Sequence, residues 1–513
     1  MFDATPLLRL YARRRLARLA AQDPAATQGA ELLKLLRRAA GTRFGQAHGF
    51  GAIRNVAEYQ SRVPLRSYDA FWEEWWKPAF PVLRDVTWPG LIPYFAASSG
   101  TSTGATKYIP VTAEMSASNR RAAFDLLVFH LANRPESRVF GGQSFLLGGS
   151  TAFRQLASGV EAGDLSGIAA VSVPRWARSR LFPPAELALL SDWDRKVDEI
   201  GRASLLQDIR NVSGTPSWML LFFEKLRDLC ADRSSRLVDY YPNLELVTHG
   251  GVGYEPYRAR FDEWLEGSHA ETREVYPASE GFIAMADRGS GEGLRMELDN
   301  GLFYEFIPVD ELGRTNPTRH WIGNAEPGVN YALALSSNAG LFSYLVGDTV
   351  RLIERSPARL MVTGRTSYSL SAFGEHLIGS EIDTGITEAA ENIGADVADY
   401  SVGAVYPQAG SPRGGHVFVV EFGRPLREGE TERFAAVLDE TLARLNLDYA
   451  DHRRDDFGMM PPRILLASKG TFAAWMAKRG KLGGQNKVPR VIGNDALLAD
   501  LIAFVQTFPE QGS

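Results

Sequence analysis

Ser98-Ser99-Gly100-Thr101-Ser102-Thr103-Gly104-Ala105-Thr106-Lys107 is the stretch whose reading decides the rest of the chain. Its small residues let the backbone come close to an anion, its N–H groups and hydroxyls donate, and Lys107 adds a positive charge. Such a loop is suited to cradling a triphosphate. It is not a Walker loop, because that pattern has Gly directly before Lys, whereas Ala105 and Thr106 separate Gly104 from Lys107 here. Taken alone, a Gly/Ser/Thr loop is a solvated connection. Its flanks say more: the β-like run IPYFAA ends at Ala97, and helical periodicity runs from about Thr112 to Asn133, giving the order strand, loop, helix.

Working outward, strand-like runs (SFLLGG, LELVTHGGV, YEFIPV, YALALS, TVRLIE, RLMVTG) alternate with helical ones (PSWMLLFFEKLRDLCADR, YEPYRARFDEWLEG), which predicts α/β or α+β architecture. The chain before Pro93 reads as mostly helical, and Trp72, Trp75 and Trp76 there are expected to pack rather than to bind. After Gly364 and Arg365 a smaller unit follows: a helix near Ile378 to Ile393, strands VADYSVGAVYP and GHVFVVEFG, a helix from Glu432 to Leu445 and a final strand, RILLAS. The Gly- and Ser-rich GRTSYSLSAFGEH is the natural boundary.

With 513 residues the chain is long enough for two or more domains, and 45% hydrophobic against 23% charged residues excludes disorder and fibrous structure. Fifty-six basic against 61 acidic residues give a net charge of −5, so nothing general attracts nucleic acid. The lone Cys230 predicts a reducing, cytoplasmic setting with no disulfide or Cys-based metal centre. MFDATPLLRLYARRRLARLAAQ interleaves apolar residues with Arg13, Arg14, Arg15 and Arg18 at helical spacing. It predicts an amphipathic helix packed by one face on the body, with a membrane-surface helix as the sharper alternative and no membrane span anywhere.

Three further segments give the loop company. In Tyr276-Pro277-Ala278-Ser279-Glu280-Gly281 an aromatic face suits a purine, a hydroxyl suits phosphate and a carboxylate suits Mg²⁺, although alone it is a turn. In Tyr344-Leu345-Val346-Gly347-Asp348 an Asp placed after a strand can accept from ribose hydroxyls, although Asp after Gly is more often a turn or cap. Gln485-Asn486-Lys487-Val488-Pro489-Arg490 offers a cation near the C-terminus.

Taken in this order, the four segments resemble the GH3 family of acyl-acid amido synthetases, within the adenylate-forming superfamily. The likeness extends from TRFGQAHGF and VPLRSYDAF through NGLFYEFIPV and AGLFSYLVGD to SKGTFAAW and QNKVPR. The resemblance implies a firefly-luciferase-like α/β architecture: a large N-terminal domain with a β-barrel-like portion (1–365), a hinge near Thr366 and Ser367, and a small mobile C-terminal α/β domain (366–513). It assigns Ser98, Ser99, Thr101, Ser102 and Lys107 to the phosphate loop, with Gly100 and Gly104 allowing its close approach. Tyr276 would stack near adenine, Ser279 would contact phosphate, Glu280 would serve Mg²⁺, and Asp348 and Arg365 would bind ribose. Lys487 would reach the acyl and α-phosphate oxygens.

The implied chemistry spends ATP with Mg²⁺ on a carboxylic acid, releasing pyrophosphate, and then passes the acyl group to an amine, usually of an amino acid, releasing AMP. The competing readings are an acyl-CoA ligase or stand-alone adenylating enzyme, and a non-catalytic nucleotide-binding protein. His249 and His376 are candidate bases by type alone. The acyl pocket is expected between the helix carrying Ala123, Leu126, Leu127 and His130 and the segment Val247 to Gly253. Ser343 and Leu345 stand where the family often has Tyr-Arg before the Gly-Asp pair and another Arg just upstream, so the surroundings of the nucleotide, or the path of the hinge, are expected to differ; Pro277 replaces a small residue and is expected to shift the loop that meets the acyl substrate.

Overall fold

Helices come first, as the periodicity predicts: α1 (Thr5–Ala20) and α2 (Pro24–Ala39). The second starts at Pro24 because Asp23 caps it by accepting from the Ala26 N–H at 2.7 Å and Pro24 sits in the first turn. The computed structural model describes all residues except 1, 99–106, 149–152, 189–192, 231–235, 252–253, 255–256, 290, 313, 367–368, 371, 376, 408–412, 455–457, 480–487 and 509–513. These described residues form two compact units, a large one up to Thr366 and a smaller one comprising Tyr257 and the chain from Ser369 onward.

In the large unit a short helix α3 (Tyr68–Phe71) runs into a wide helical turn that buries Trp76 and packs Trp72 and Trp75 on the core, as expected of them. Strands β1 (Tyr94–Ser98) and β2 (Lys107–Val111) then pair antiparallel, with Ser98 opposite Lys107. A second strand therefore stands before the helix, where the sequence reading expected none. Pro110 disguises the second strand in the sequence, and it is tolerated because β2 is an edge strand. Helix α4 (Ala113–Asn133) follows at the predicted place, capped by Thr112, whose hydroxyl accepts from the Met115 N–H at 2.9 Å.

After β3 (Gln143–Leu146), the pair β4 (Arg154–Ala157) and β5 (Val160–Gly163) completes a small sheet in which β5 runs parallel to β1. Strands β6 (Leu181–Phe182), β7 (Ile209–Gly214), β8 (Leu246–Gly250) and β9 (Glu271–Ala278) join β3 in a parallel array, with helix α5 (Pro216–Leu229) crossing between β7 and β8. Strands β10 (Gly281–Met285), β11 (Leu294–Met296), β12 (Leu302–Pro308), β13 (His320–Trp321), β14 (Asn330–Ser337), β15 (Leu341–Arg355) and β16 (Ala358–Arg365) extend the same sheet antiparallel. The spatial order is β13-β12-β14-β15-β16-β11-β10-β9-β8-β7-β3-β6, open at both edges. Strand β9 is the seam, parallel to β8 and antiparallel to β10.

From Leu341, AGLFSYLVGD runs on through TVRLIE as one 15-residue strand, β15, so Asp348 lies within a strand rather than after one, contrary to the sequence expectation. The Gly that suggested a turn, Gly347, has φ +97°, a conformation that glycine adopts without strain, and the strand passes through it.

The smaller unit contains the pair β17 (Ser369–Leu370) and β18 (Leu377–Ile378), helix α6 (Gly379–Ile393), strands β19 (Val397–Val405) and β20 (Gly415–Phe422), and helix α7 (Glu430–Leu445), close to prediction. RILLAS forms β21 (Arg463–Ala467) but is not the last element. Helix α8 (Thr471–Lys478), the two-residue strand β22 (Val491–Ile492) and helix α9 (Asp495–Thr507) follow it, and the sheet order is β21-β20-β19-β22. Each unit has its own buried apolar core.

Candidate functional site

Two hairpins and one strand end bring the predicted residues of the large unit together. Ala278 pairs with Gly281, so Ser279 and Glu280 form the two-residue tip between β9 and β10. Asp348 on β15 stands directly opposite Arg365 on β16. Tyr276 on β9 donates its phenol hydrogen to Asp348 Oδ2 at 2.5 Å, and Arg365 Nε meets Asp348 Oδ1 at 3.1 Å. Lys107, first residue of β2, completes the group, since its ammonium feels the charges of Glu280, Asp348 and Arg365.

Burial sets the electrostatics. Glu280 is only 7% exposed, and loss of solvent lifts its pKa; the Lys107 charge opposes that rise and the Asp348 charge adds to it. Desolvation lowers the Lys107 pKa, while Glu280 pulls it back up. Tyr276 is pushed far above the ordinary phenol value by burial and by Asp348, so it remains a donor. The result is a carboxyl group and an ammonium that each lack a full solvent shell and feel each other's charge.

The sequence reading missed the groups that hold this cluster. Tyr68 on α3 accepts the Tyr108 N–H at 2.9 Å, and the Lys107 ammonium lies 5.4 Å from the centre of its ring. Tyr344 sits beside Glu280, which with burial drives the Tyr344 pKa far upward. Both lie inside quoted segments, but neither spacing nor residue type marks them, because their contacts cross the sheet.

Glu274, two residues before Tyr276 and on the same face of β9, was missed as well. It lines a cavity of about 60 Å³ with His249, Thr272, Gly293 and Val362. Burial, and then the Arg258 charge, lower the His249 pKa to about 3, and its ring stacks on Tyr254 at 3.7 Å. So weak a base does not accept a proton at neutral pH.

Other predictions are not brought to the cluster. Ser99, Gly100, Thr101, Ser102, Gly104, His376 and Lys487 lie outside the described residues, and of Ser98 only the strand pairing is described. The stripe expected to face an acyl group is ordinary structure: Leu126 and Leu127 belong to cores shared with α1, Ala123 is exposed, and His130 bonds Glu271 at 2.6 Å and Ser137 at 2.8 Å.

The departure at Ser343 is absorbed locally. Its φ is +48°, and its buried hydroxyl sits among Tyr59 at 2.9 Å, Glu305 at 2.8 Å and Arg319 at 2.7 Å. Leu345 is fixed through its backbone, its N–H donating to the Arg66 carbonyl at 2.9 Å.

Models of one family match three stretches of the chain: the GH3 family N-terminal domain over residues 14–197, the central domain over 296–365 and the C-terminal domain over 380–496. A probable indole-3-acetic acid-amido synthetase, GH3.1 of Oryza sativa subsp. japonica, is 26% identical over 220 residues, 40% of this chain and 35% of that protein. The indole-3-acetic acid-amido synthetase GH3.8 of Oryza sativa subsp. indica is 28% identical over 211 residues, 37% of this chain and 33% of its own length. The chain thus matches about a third of the length of these curated relatives. Among solved structures, GH3.15 acyl acid amido synthetase superposes with TM-score 0.58 at 18% identity, covering 95% of this chain and 94% of that one. 2-Hydroxyisobutyryl-CoA ligase, in complex with 2-HIB-AMP and CoA, gives 0.59 at 13% identity over 93% and 92%. The chain shares the fold of these two enzymes.

Proposed function

The chain belongs to the GH3 family, and on that basis we propose that it is an ATP-dependent, AMP-forming ligase that adenylates a small carboxylic acid and passes the acyl group to an amine, usually that of an amino acid. The observation that carries this reading is the cluster of Lys107, Tyr276, Glu280, Asp348 and Arg365, drawn from three distant stretches of sequence. A carboxylate is a poor electrophile because its leaving group would be oxide. Attack of its oxygen on the α-phosphorus of ATP expels pyrophosphate and leaves an acyl phosphate anhydride, from which AMP departs readily when the amine attacks.

In this reading Asp348 and Arg365 hold the ribose. Both Asp348 oxygens are already engaged, yet a carboxylate has lone pairs left to accept from two hydroxyls. Tyr276 fixes Asp348 through its own hydroxyl, and the resemblance has its ring stack near the base. Lys107 balances phosphate charge as pyrophosphate forms. The resemblance assigns the phosphate loop and Lys487 to the same substrate.

Mg²⁺ fits the donor set. No group of three or more ligating side chains exists among the described residues, and Mg²⁺ commonly takes one or two carboxylates plus phosphate oxygens, which Glu280 and ATP would supply. When bound there, the ion would neutralise phosphate charge during displacement. Possession of ATP chemistry and a single cysteine agree with a cytoplasmic setting, and no helix among the described residues is long and apolar enough to cross a membrane.

The test is ATP–pyrophosphate exchange with Mg²⁺ and pooled aryl, indole-type and aliphatic carboxylic acids, without amine. The parent protein is expected to exchange, and Glu280→Gln and Lys107→Ala are expected to lose about 10²-fold or more. Amino acids or coenzyme A supplied afterwards separate amide from thioester formation. ATP binding without exchange on any acid would point to a non-catalytic nucleotide binder and sink the reading.

A further inference from the structure

One face of α1 is left unused by the site. Leu8, Ala12, Arg15 and Leu19 form its buried stripe, and Arg15 is fully paired there, bonding Asp125 at 2.6 Å and Asp299 at 2.7 Å. Beside it runs a second stripe, Leu7, Leu10, Tyr11, Arg14 and Arg18, at the i, i+3, i+4, i+7, i+11 spacing of a single helix face. Its first half is apolar and open to solvent: Leu7 is 67% exposed, Leu10 52% and Tyr11 40%, with Phe2 at 76% just before the helix.

The second half is cationic. Arg14 and Arg18 join Arg121 of α4, with Tyr11, Arg15 and Asp299, around an open cleft of about 390 Å³. Asp299 is the acidic group in the lining; Arg15 uses it, Arg18 reaches it only at 3.5 Å, and Arg121 donates to its backbone carbonyl at 3.1 Å. Long exposed guanidinium side chains around an open cleft do not form a shaped pocket for one rigid ligand. They suit phosphates that arrange themselves around the cations, next to apolar matter for the leucines.

We propose that this face of α1, with the cleft it shares with α4, docks the protein on the surface of an anionic phospholipid membrane. Arg14, Arg18 and Arg121 take headgroup phosphates, and Phe2, Leu7 and Leu10 enter the boundary with the acyl chains. The charge pattern argues for the anionic lipid: a chain of net charge −5 is repelled by such a surface everywhere except where cations are gathered. The helix lies on the bilayer and does not cross it, consistent with its Arg content and its 16 residues.

The experiment is flotation of the full chain with vesicles of phosphatidylglycerol and phosphatidylcholine, or of phosphatidylcholine alone, at low and high salt. The parent is expected to float with the anionic vesicles at low salt only. Arg14→Glu/Arg18→Glu is expected to cut the bound fraction about tenfold or more, and Leu7→Ser/Leu10→Ser to cut it severalfold. Leu7→Ser/Leu10→Ser should keep the parent's thermal unfolding profile, because the replaced side chains are exposed, and the neutral Arg14→Gln/Arg18→Gln, which sets no carboxylate beside Asp299, should keep it too and still lose most of the bound fraction. Absence of flotation, equal flotation with neutral vesicles, or flotation unchanged in the double variants would overturn the proposal; so would binding of soluble glycerophosphate or an acidic protein in the absence of any vesicle binding.

Discussion

Glu280 shows how a single residue trades stability for a site. Its pKa is raised by burial, so in the folded protein the ionised form is disfavoured relative to the unfolded chain. Such a group stabilises the fold below its unfolded pKa and costs stability as pH rises through its folded pKa. Glu280→Gln is therefore expected to raise the melting temperature of the large unit more at pH 8 than at pH 4, while exchange activity is lost. Differential scanning fluorimetry at the two pH values checks this, and a lower melting temperature at pH 8 would contradict it. His249 works in the opposite sense. Its pKa of about 3 means that the unfolded chain binds the proton first, so stability is lost as pH falls below about 6.5. His249→Gln is expected to flatten that acid limb of the stability profile. In the sequence His249 and Glu280 were equally visible as titratable residues. Their different roles came from burial, which residue type does not encode.

At the scale of the element, the hairpin of β1 and β2 places Lys107, and α3 holds the hairpin. Tyr68 does this twice, through its hydroxyl to the Tyr108 N–H and through its ring under the Lys107 ammonium. Tyr68→Phe keeps the ring and removes the acceptor, leaving an amide short of a partner, a loss of about 1–3 kcal/mol in stability by denaturant titration. Tyr68→Ala also removes the cation's support and is expected to raise the KM for ATP more than it lowers kcat at saturation. A substitution that only loosened the fold would not divide its effect this way. The segment VPLRSYDAF was legible as a turn and helix, and the helix is there. Its link to Lys107 was not, because the contact joins residues about forty positions apart and leaves no periodic trace. Strand β15 was hidden for a related reason: Gly347 and Asp348 are turn residues by local preference, and the pairing of Asp348 with Arg365 on β16 overrides that preference, while the register to β14 slips between Leu345 and Thr349.

For the whole molecule, two units with separate cores predict two thermal transitions in calorimetry. The cluster of Lys107, Glu280, Asp348 and Arg365 belongs to the large unit, so a non-hydrolysable ATP analogue at about 100 times its Kd is expected to stabilise that transition by about 2.7 kcal/mol, with less effect on the other. A single transition moved as a whole would show the two units unfolding as one. The mixed α/β class, most of the elements, the family and the segments that carry the candidate chemistry were readable from the sequence, because period, turn residues and motif order are local properties. It took the folded chain to show that Tyr276 is spent on Asp348, that Leu126 and Leu127 of the predicted acyl stripe are core, that the His249 ring is buried and that α1 keeps an apolar and cationic face in solvent. Those facts depend on which strands lie side by side and on what burial does to charge, and neither is written in the spacing of residues along one chain.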